Sequence, residues 1–108
     1  MREIKFRAWG KSKKTMYYQD FAVNPDGTTK TWGLYEHLEL LQYTGLHDKR
    51  GKEIYEGDIL RFPDGEVTNV IWMEYPAAFS PMDLHLASEV IGNIYENPEL
   101  LKETISGQ

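Results

Sequence analysis

The chain has 108 residues, a length at which one hydrophobic core of modest depth is the expectation and a second domain has no room. With no cysteine, disulfides and thiolate metal sites are excluded, while a 13% aromatic share with seven Tyr suits half-buried pleated surfaces better than helix seams. The formal net charge of −5 is unevenly placed, since residues 1–52 hold ten Lys or Arg against six acids and residues 53–108 hold two against eleven. Such a dipolar chain can bind a polyanion at one end or meet copies of itself head to tail; a solvated surface with scattered charge is the bland alternative. No basic lead followed by an apolar run opens the chain, because Lys5 and Arg7 interrupt Ile4, Phe6, Ala8 and Trp9, and no apolar stretch approaches membrane-spanning length. The expectation is a protein of the cytoplasm, neither exported nor membrane-embedded.

In chain order, Ile4, Phe6 and Ala8 alternate with Lys5, Arg7 and Trp9, the period of a strand whose first set faces inward. Gly10 to Lys14 is a polar turn, and Thr15 to Phe21 returns as a second strand with Met16 and Tyr18 inward. Asn24-Pro25-Asp26-Gly27-Thr28-Thr29 strings turn formers together and reads as a loop. Residues 24–37 are therefore expected to be a variable loop or irregular segment, with a short helical turn from Trp32 to His37 and a strand from Leu38 to Thr44.

The stretch from Gln42 to Leu60 is the most legible. Asp48-Lys49-Arg50-Gly51 sets an acceptor side chain two residues before a backbone N–H and a glycine where a bulged turn needs positive φ. That predicts a hairpin, with Leu41 to Leu46 entering and Lys52 to Tyr55 leaving. Gly57-Asp58 is a second tight corner, and Ile59, Leu60 and Phe62 begin a new strand. Pro63-Asp64-Gly65 then turns it back into Val67 to Met73. Two hairpins joined so closely argue for a twisted antiparallel sheet or a small barrel.

Glu74 to Pro81 holds two prolines and reads as a loop or sheet rim carrying Tyr75 and Phe79, with Trp72 just before it. These three aromatics are the candidate contact surface; folding of the loop back over the core is the competing reading. Val90, Gly92 and Ile94 alternate with Ile91, Asn93 and Tyr95, a strand apolar on both faces and so expected near the middle of its sheet. Asn97-Pro98-Glu99 has an N-cap residue, a proline at the first helical position and an acid at the positive end of the helix dipole, predicting a short C-terminal helix over 97–105.

QYTGL, DKRGKEIYEGDI and EVIGNIYENPEL, together with the opening REIKFRAW, resemble the YopX family of phage and prophage proteins. The resemblance spans both ends and the middle of the chain and lapses between Asn24 and Leu38. It implies a β-dominated single domain over 1–108, a phage or prophage origin in a bacterial host cell, and a tendency to form homo-oligomers. It brings no catalytic residues.

The residues themselves offer little chemistry. His37, His47 and His85 stand far apart with no ligand-spaced pair, so surface histidines are expected and no metal. Glu53, Glu56, Asp58, Asp64 and Glu66 cluster in sequence, yet Asp58 and Asp64 fall at turns, where bonding to backbone amides accounts for them. No serine sits in a glycine-flanked elbow and no glycine-rich loop precedes a helix. Nucleic-acid binding is a more serious candidate than catalysis: Lys5, Arg7 and Trp9 on the outer face of the first strand, beside Lys11, Lys13 and Lys14 in the following turn, combine cations with a stacking surface. A pI near 5.1 opposes it.

The combined expectation is a mainly β protein, a twisted antiparallel sheet closing toward a small SH3-like barrel with a short C-terminal helix. It is expected to work without cofactor or catalysis as a self-assembling interaction module, with a further phage or host protein as a possible partner. Single-stranded nucleic-acid binding is the alternative.

Overall fold

A computed structural model describes residues 5–19, 21–23, 29–31, 38–75, 77–81 and 87–101. The fold is mainly β, with a sheet curled into a half-barrel and one short helix near the C-terminus that opens at 99. Strands β1 (Phe6–Gly10), β2 (Thr15–Tyr17), β5 (Leu38–His47) and β6 (Glu53–Tyr55) form an antiparallel sheet in the order β2-β1-β5-β6. Between them in sequence, β3 (Phe21–Val23) and β4 (Thr29–Thr31) pair as a ribbon. A second sheet, β11-β7-β8, is made from β7 (Asp58–Arg61), β8 (Val67–Asn69) and β11 (Glu89–Asn93), and β9 (Ile71–Met73) pairs with β10 (Ala78–Ser80) in a two-stranded ribbon.

The turns that organise this arrangement are those read from the sequence. Asp48 Oδ1 accepts the N–H groups of Arg50 at 2.8 Å and Lys52 at 2.9 Å, Gly51 sits at φ +85°, and the hairpin closes with Asp48 N–H donating to the Lys52 carbonyl at 2.8 Å. Asp64 Oδ1 accepts the Glu66 N–H at 2.9 Å in the next hairpin turn.

The Gly57-Asp58 corner is where the sheets meet. Gly57 donates to the Val70 carbonyl at 2.8 Å and accepts from Ile94 at 2.9 Å, Glu56 donates to Gln42 at 2.9 Å, and Val70 donates to the Asp58 carbonyl at 2.8 Å. Gly57 holds φ +91°, open to glycine without strain, and a Cβ there would stand 3.0 Å from Cε2 of Tyr95. Val70 divides the expected Val67–Met73 strand in two: β8 pairs with β7, and β9 turns away to pair with β10. Ile54, Leu60, Val70 and Phe79 form the core cluster, with Phe62 and Val90 packed against it.

Four expectations are corrected. Thr29–Thr31 lies inside the segment read as irregular, yet it is a strand bonded to Phe21–Val23; residues 24–28 and 32–37, including the expected helical turn, lie outside the described residues. Among the described residues β11 is an edge strand of its three-stranded sheet, with β7 central; its pairing with β7 passes through a bulge between Val90 and Gly92 and resumes at Gly92 and Asn93 before the chain turns at 94–96. Asn97 does not cap with its side chain: Oδ1 accepts the Asn93 N–H at 3.2 Å, and it is the Asn97 carbonyl that accepts from Leu100 at 3.1 Å. The fourth correction concerns Arg7. Alternation placed it outward, but only 2% of its surface is exposed, since the curled sheet covers both faces of β1 at this point. Residues 102–105 of the expected helix lie outside the described residues.

Candidate functional site

β1 presents Arg7 and Trp9 on one face, and its pairing with β5 sets Leu41 beside Arg7 and Glu39 beside Trp9. Arg7 Nη2 donates to Asp58 Oδ1 at 2.7 Å, with both side chains buried, and Asp58 Oδ2 accepts the Tyr55 N–H at 2.8 Å. The guanidinium lies 4.8 Å from the Tyr55 ring centroid and 6.0 Å from that of Tyr18, and its Nε has no hydrogen-bond partner. Burial pushes the Asp58 carboxyl above its ordinary value, against the opposing pull of the Arg7 charge and the Tyr55 amide. Arg7 is thus a structural cation joining β1 to the Gly57-Asp58 corner. It is not available to an external phosphate.

A small hollow of about 200 Å³ beside this pair is lined by Arg7, Tyr18, Lys52, Glu53 and Tyr55. Lys5 is half-buried and paired with Glu53, and this bond holds the Glu53 carboxyl below its ordinary value. The Tyr55 phenol is pushed up to about 12, chiefly by burial and then by the nearby Glu53 charge. Of the charges around this hollow, Arg7 is held by Asp58 and Glu53 by Lys5, while Lys52 is exposed at its rim.

The other basic residues behave differently. Lys11, Lys13 and Lys14 are exposed in the β1–β2 turn and make no ion pair among the described residues. Next to them Trp9, expected on the outer face of β1, is instead almost fully buried, because it packs against Tyr95 with ring centroids 5.6 Å apart and a tilt of 32°. Trp9, Lys11, Lys14, Tyr95 and Glu96 line a groove of about 500 Å³, which continues into a smaller hollow edged by Glu39. Tyr95 was not singled out by sequence reasoning. It is placed there by the Asn93 side chain, whose Oδ1 accepts the N–H groups of Tyr95 at 3.0 Å and Glu96 at 2.9 Å. An asparagine followed by Ile-Tyr-Glu at the end of a strand was the available signal, since Asn bonds its own backbone two residues on.

The three candidate contact aromatics separate. Tyr75 is 95% exposed and Trp72 39% exposed, whereas Phe79 is buried in the core, with its ring 4.9 Å from that of Trp72. Phe79 is corrected from a contact residue to a core residue: β10 pairs it with Trp72, and its side chain joins Ile54, Leu60 and Val70. Ile71, 47% exposed, adds to the apolar surface of the β9–β10 ribbon.

Four of the five clustered carboxylates are engaged separately, Glu53 with Lys5, Glu56 with the Gln42 amide, Asp58 with Arg7 and Asp64 with the Glu66 amide, and Glu66 is exposed. Among the described residues no three His, Asp or Glu side chains gather where they could hold a metal ion. His47 packs edge-on against Tyr43, while His37 and His85 lie outside the described residues. No helix of the described residues is long and apolar enough to cross a membrane.

The crystal structure of protein EF1440 from Enterococcus faecalis is similar to this one, with a TM-score of 0.67 and 27% sequence identity over 94% of this chain and 99% of that chain. No curated protein matches the chain. The family model described as YopX protein matches residues 5–102, nearly the whole length, and the chain therefore belongs to the YopX family.

Proposed function

We propose that this protein acts by binding rather than by catalysis, as a module that associates with further copies of itself through the β9–β10 ribbon. The observation that carries this is the exposure of Ile71, Trp72 and Tyr75 on a two-stranded ribbon with no further strand beside it among the described residues. A ribbon with open edges offers backbone donors and acceptors to a second strand, and exposed aromatics supply the apolar area that holds a partner once paired. The family resemblance supports a phage- or prophage-encoded accessory role in the host cytoplasm, and a phage or host protein could use the same ribbon. Light scattering tests the reading. A mass several times 12.6 kDa is expected, falling toward the monomer when Ile71 and Tyr75 are changed to Ser. A wild-type monomer at all concentrations refutes self-association.

A second reading, binding of single-stranded nucleic acid, is favoured by one observation: Lys11, Lys13 and Lys14 are exposed beside an aromatic pair and make no ion pair among the described residues. Lys5 and Arg7 no longer contribute to it, being held by Glu53 and Asp58.

A further inference from the structure

We propose that the groove between Trp9, Tyr95, Lys11 and Lys14 is a binding site for one nucleotide unit, the base against the two rings and its flanking phosphate charge against the two ammonium groups. This rests on the nucleic-acid reading and narrows it from a basic strand to a bounded site.

The size of the groove, about 500 Å³, falls within the range of small-ligand sites, which run from about 300 to 1,000 Å³. Its composition is selective. Two rings give a planar ligand an apolar wall, and any nucleobase has a π-face to lay against it. Burial, followed by the Glu39 and Glu56 charges, raises the Tyr95 phenol above its ordinary value, so that wall stays uncharged at neutral pH. The acids bordering the groove are not equivalent. Glu96 Oε1 already accepts from Asn93 Nδ2 at 2.7 Å, whereas Glu39 is exposed at the inner end, placed to accept from a base amino group or a ribose hydroxyl.

The turn supplies an independent argument. Lys14 holds φ +51°, the left-handed region that costs an ordinary residue about 1–2 kcal/mol and glycine very little. Glycine would take this conformation at lower cost. A lysine stands there instead, its side chain lining the groove and making no ion pair among the described residues, which fits a need for its charge. Gly57 is part of the same construction, because any side chain at that corner would press on the Tyr95 ring.

The test uses the full chain and two probes, a fluorescently labelled oligoadenylate followed by anisotropy at low salt, and AMP as competitor. Oligoadenylate should bind, with log K falling against log salt at a slope of about −1.4, the value for two single-strand phosphate contacts. Lys11→Glu with Lys14→Glu should weaken binding at least about tenfold, since two attractions become repulsions. Tyr95→Leu, which keeps apolar bulk, should weaken it by about 5- to 100-fold through lost stacking, while Tyr95→Phe should leave it unchanged. Displacement by AMP identifies a free nucleotide as sufficient ligand, and strand binding that AMP does not disturb identifies the strand; either upholds the groove. Binding lost in the lysine variant but unchanged in Tyr95→Leu overturns the groove while the basic turn stands as a nucleic-acid contact. No binding of either probe overturns both.

Discussion

Replacing Arg7 by Met removes the guanidinium from a buried pair while keeping most of the apolar stem. Asp58, 1% exposed and bonded at 2.7 Å in the native protein, is then left as an unpaired carboxylate. Breaking such a pair from one side costs about 3–5 kcal/mol. The carboxylate has an escape, which is to take up a proton in the folded state. From an ordinary value of 3.8, protonation at pH 7 costs about 4 kcal/mol at about 1.4 kcal/mol per pH unit, so protonation caps the penalty near the same figure. The sign follows from linkage: in the variant the folded chain binds a proton that the unfolded chain does not, so acidification stabilises the variant relative to wild type. Urea unfolding followed by tryptophan fluorescence should therefore show Arg7→Met destabilised by about 4 kcal/mol at pH 7, with the gap narrowing as pH falls toward 5. Adding Asp58→Asn, whose amide oxygen can still accept from Tyr55, should recover much of the loss and abolish the pH dependence. A cost below about 1 kcal/mol at pH 7, or a gap constant between pH 7 and 5, would refute the reasoning.

Four further outcomes are expected from the same structure. Gly57→Ala meets both a positive φ and the Tyr95 ring at 3.0 Å, and thermal unfolding should show a loss of about 1–3 kcal/mol. Gly51→Ala, with a similar φ but nothing within 4 Å, should cost about 1 kcal/mol. Asp48→Ala deprives the N–H groups of Arg50, Lys52 and Val90 of their acceptor, and chemical denaturation should register a loss of about 2–4 kcal/mol. Acid unfolding should begin as pH falls below the ordinary values of 4.5 for Glu89 and 3.8 for Asp48: Glu89 is lowered chiefly by its bond from Arg61, and the amide bonds to Asp48 outweigh the burial that raises it. Both groups have depressed folded-state values, so their stabilisation is complete above the ordinary values and drains away below them, as a pH titration of circular dichroism would record.

Local chemistry carried most of what was legible. The 48–51 hairpin, the Gly57-Asp58 corner and the 63–65 turn each depend on two or three adjacent residues, and all three formed where their side chains and glycines called for them. Arg7 was misjudged because alternation assigns a face by period alone, whereas its burial depends on Asp58, 51 residues away. Thr29–Thr31 was hidden because a strand of Thr-Lys-Thr has no apolar face to distinguish it from the turn formers before it. In the candidate groove, Lys11, Lys14 and Trp9 were visible as a basic stretch with an aromatic, but Tyr95 arrives from the far end of the chain by way of an asparagine turn. Tyr75 and Phe79, four residues apart on either side of Pro76, looked alike in sequence, and only the pairing of β10 with β9 separates the buried ring from the exposed one.

Asp48 does more than shape its own turn. Its second carboxylate oxygen accepts the Val90 N–H at 2.9 Å, and Lys49 donates to the Ser88 carbonyl at 2.9 Å, so a feature as local as a hairpin loop is completed by residues some forty positions downstream. On the ribosome, the early hairpin can flicker into shape but has no final acceptor pattern until residues 88–93 leave the exit tunnel. β11, the last of the described strands, is then the one that locks the structure, and ribosome-stalled chains ending before it should remain open to protease.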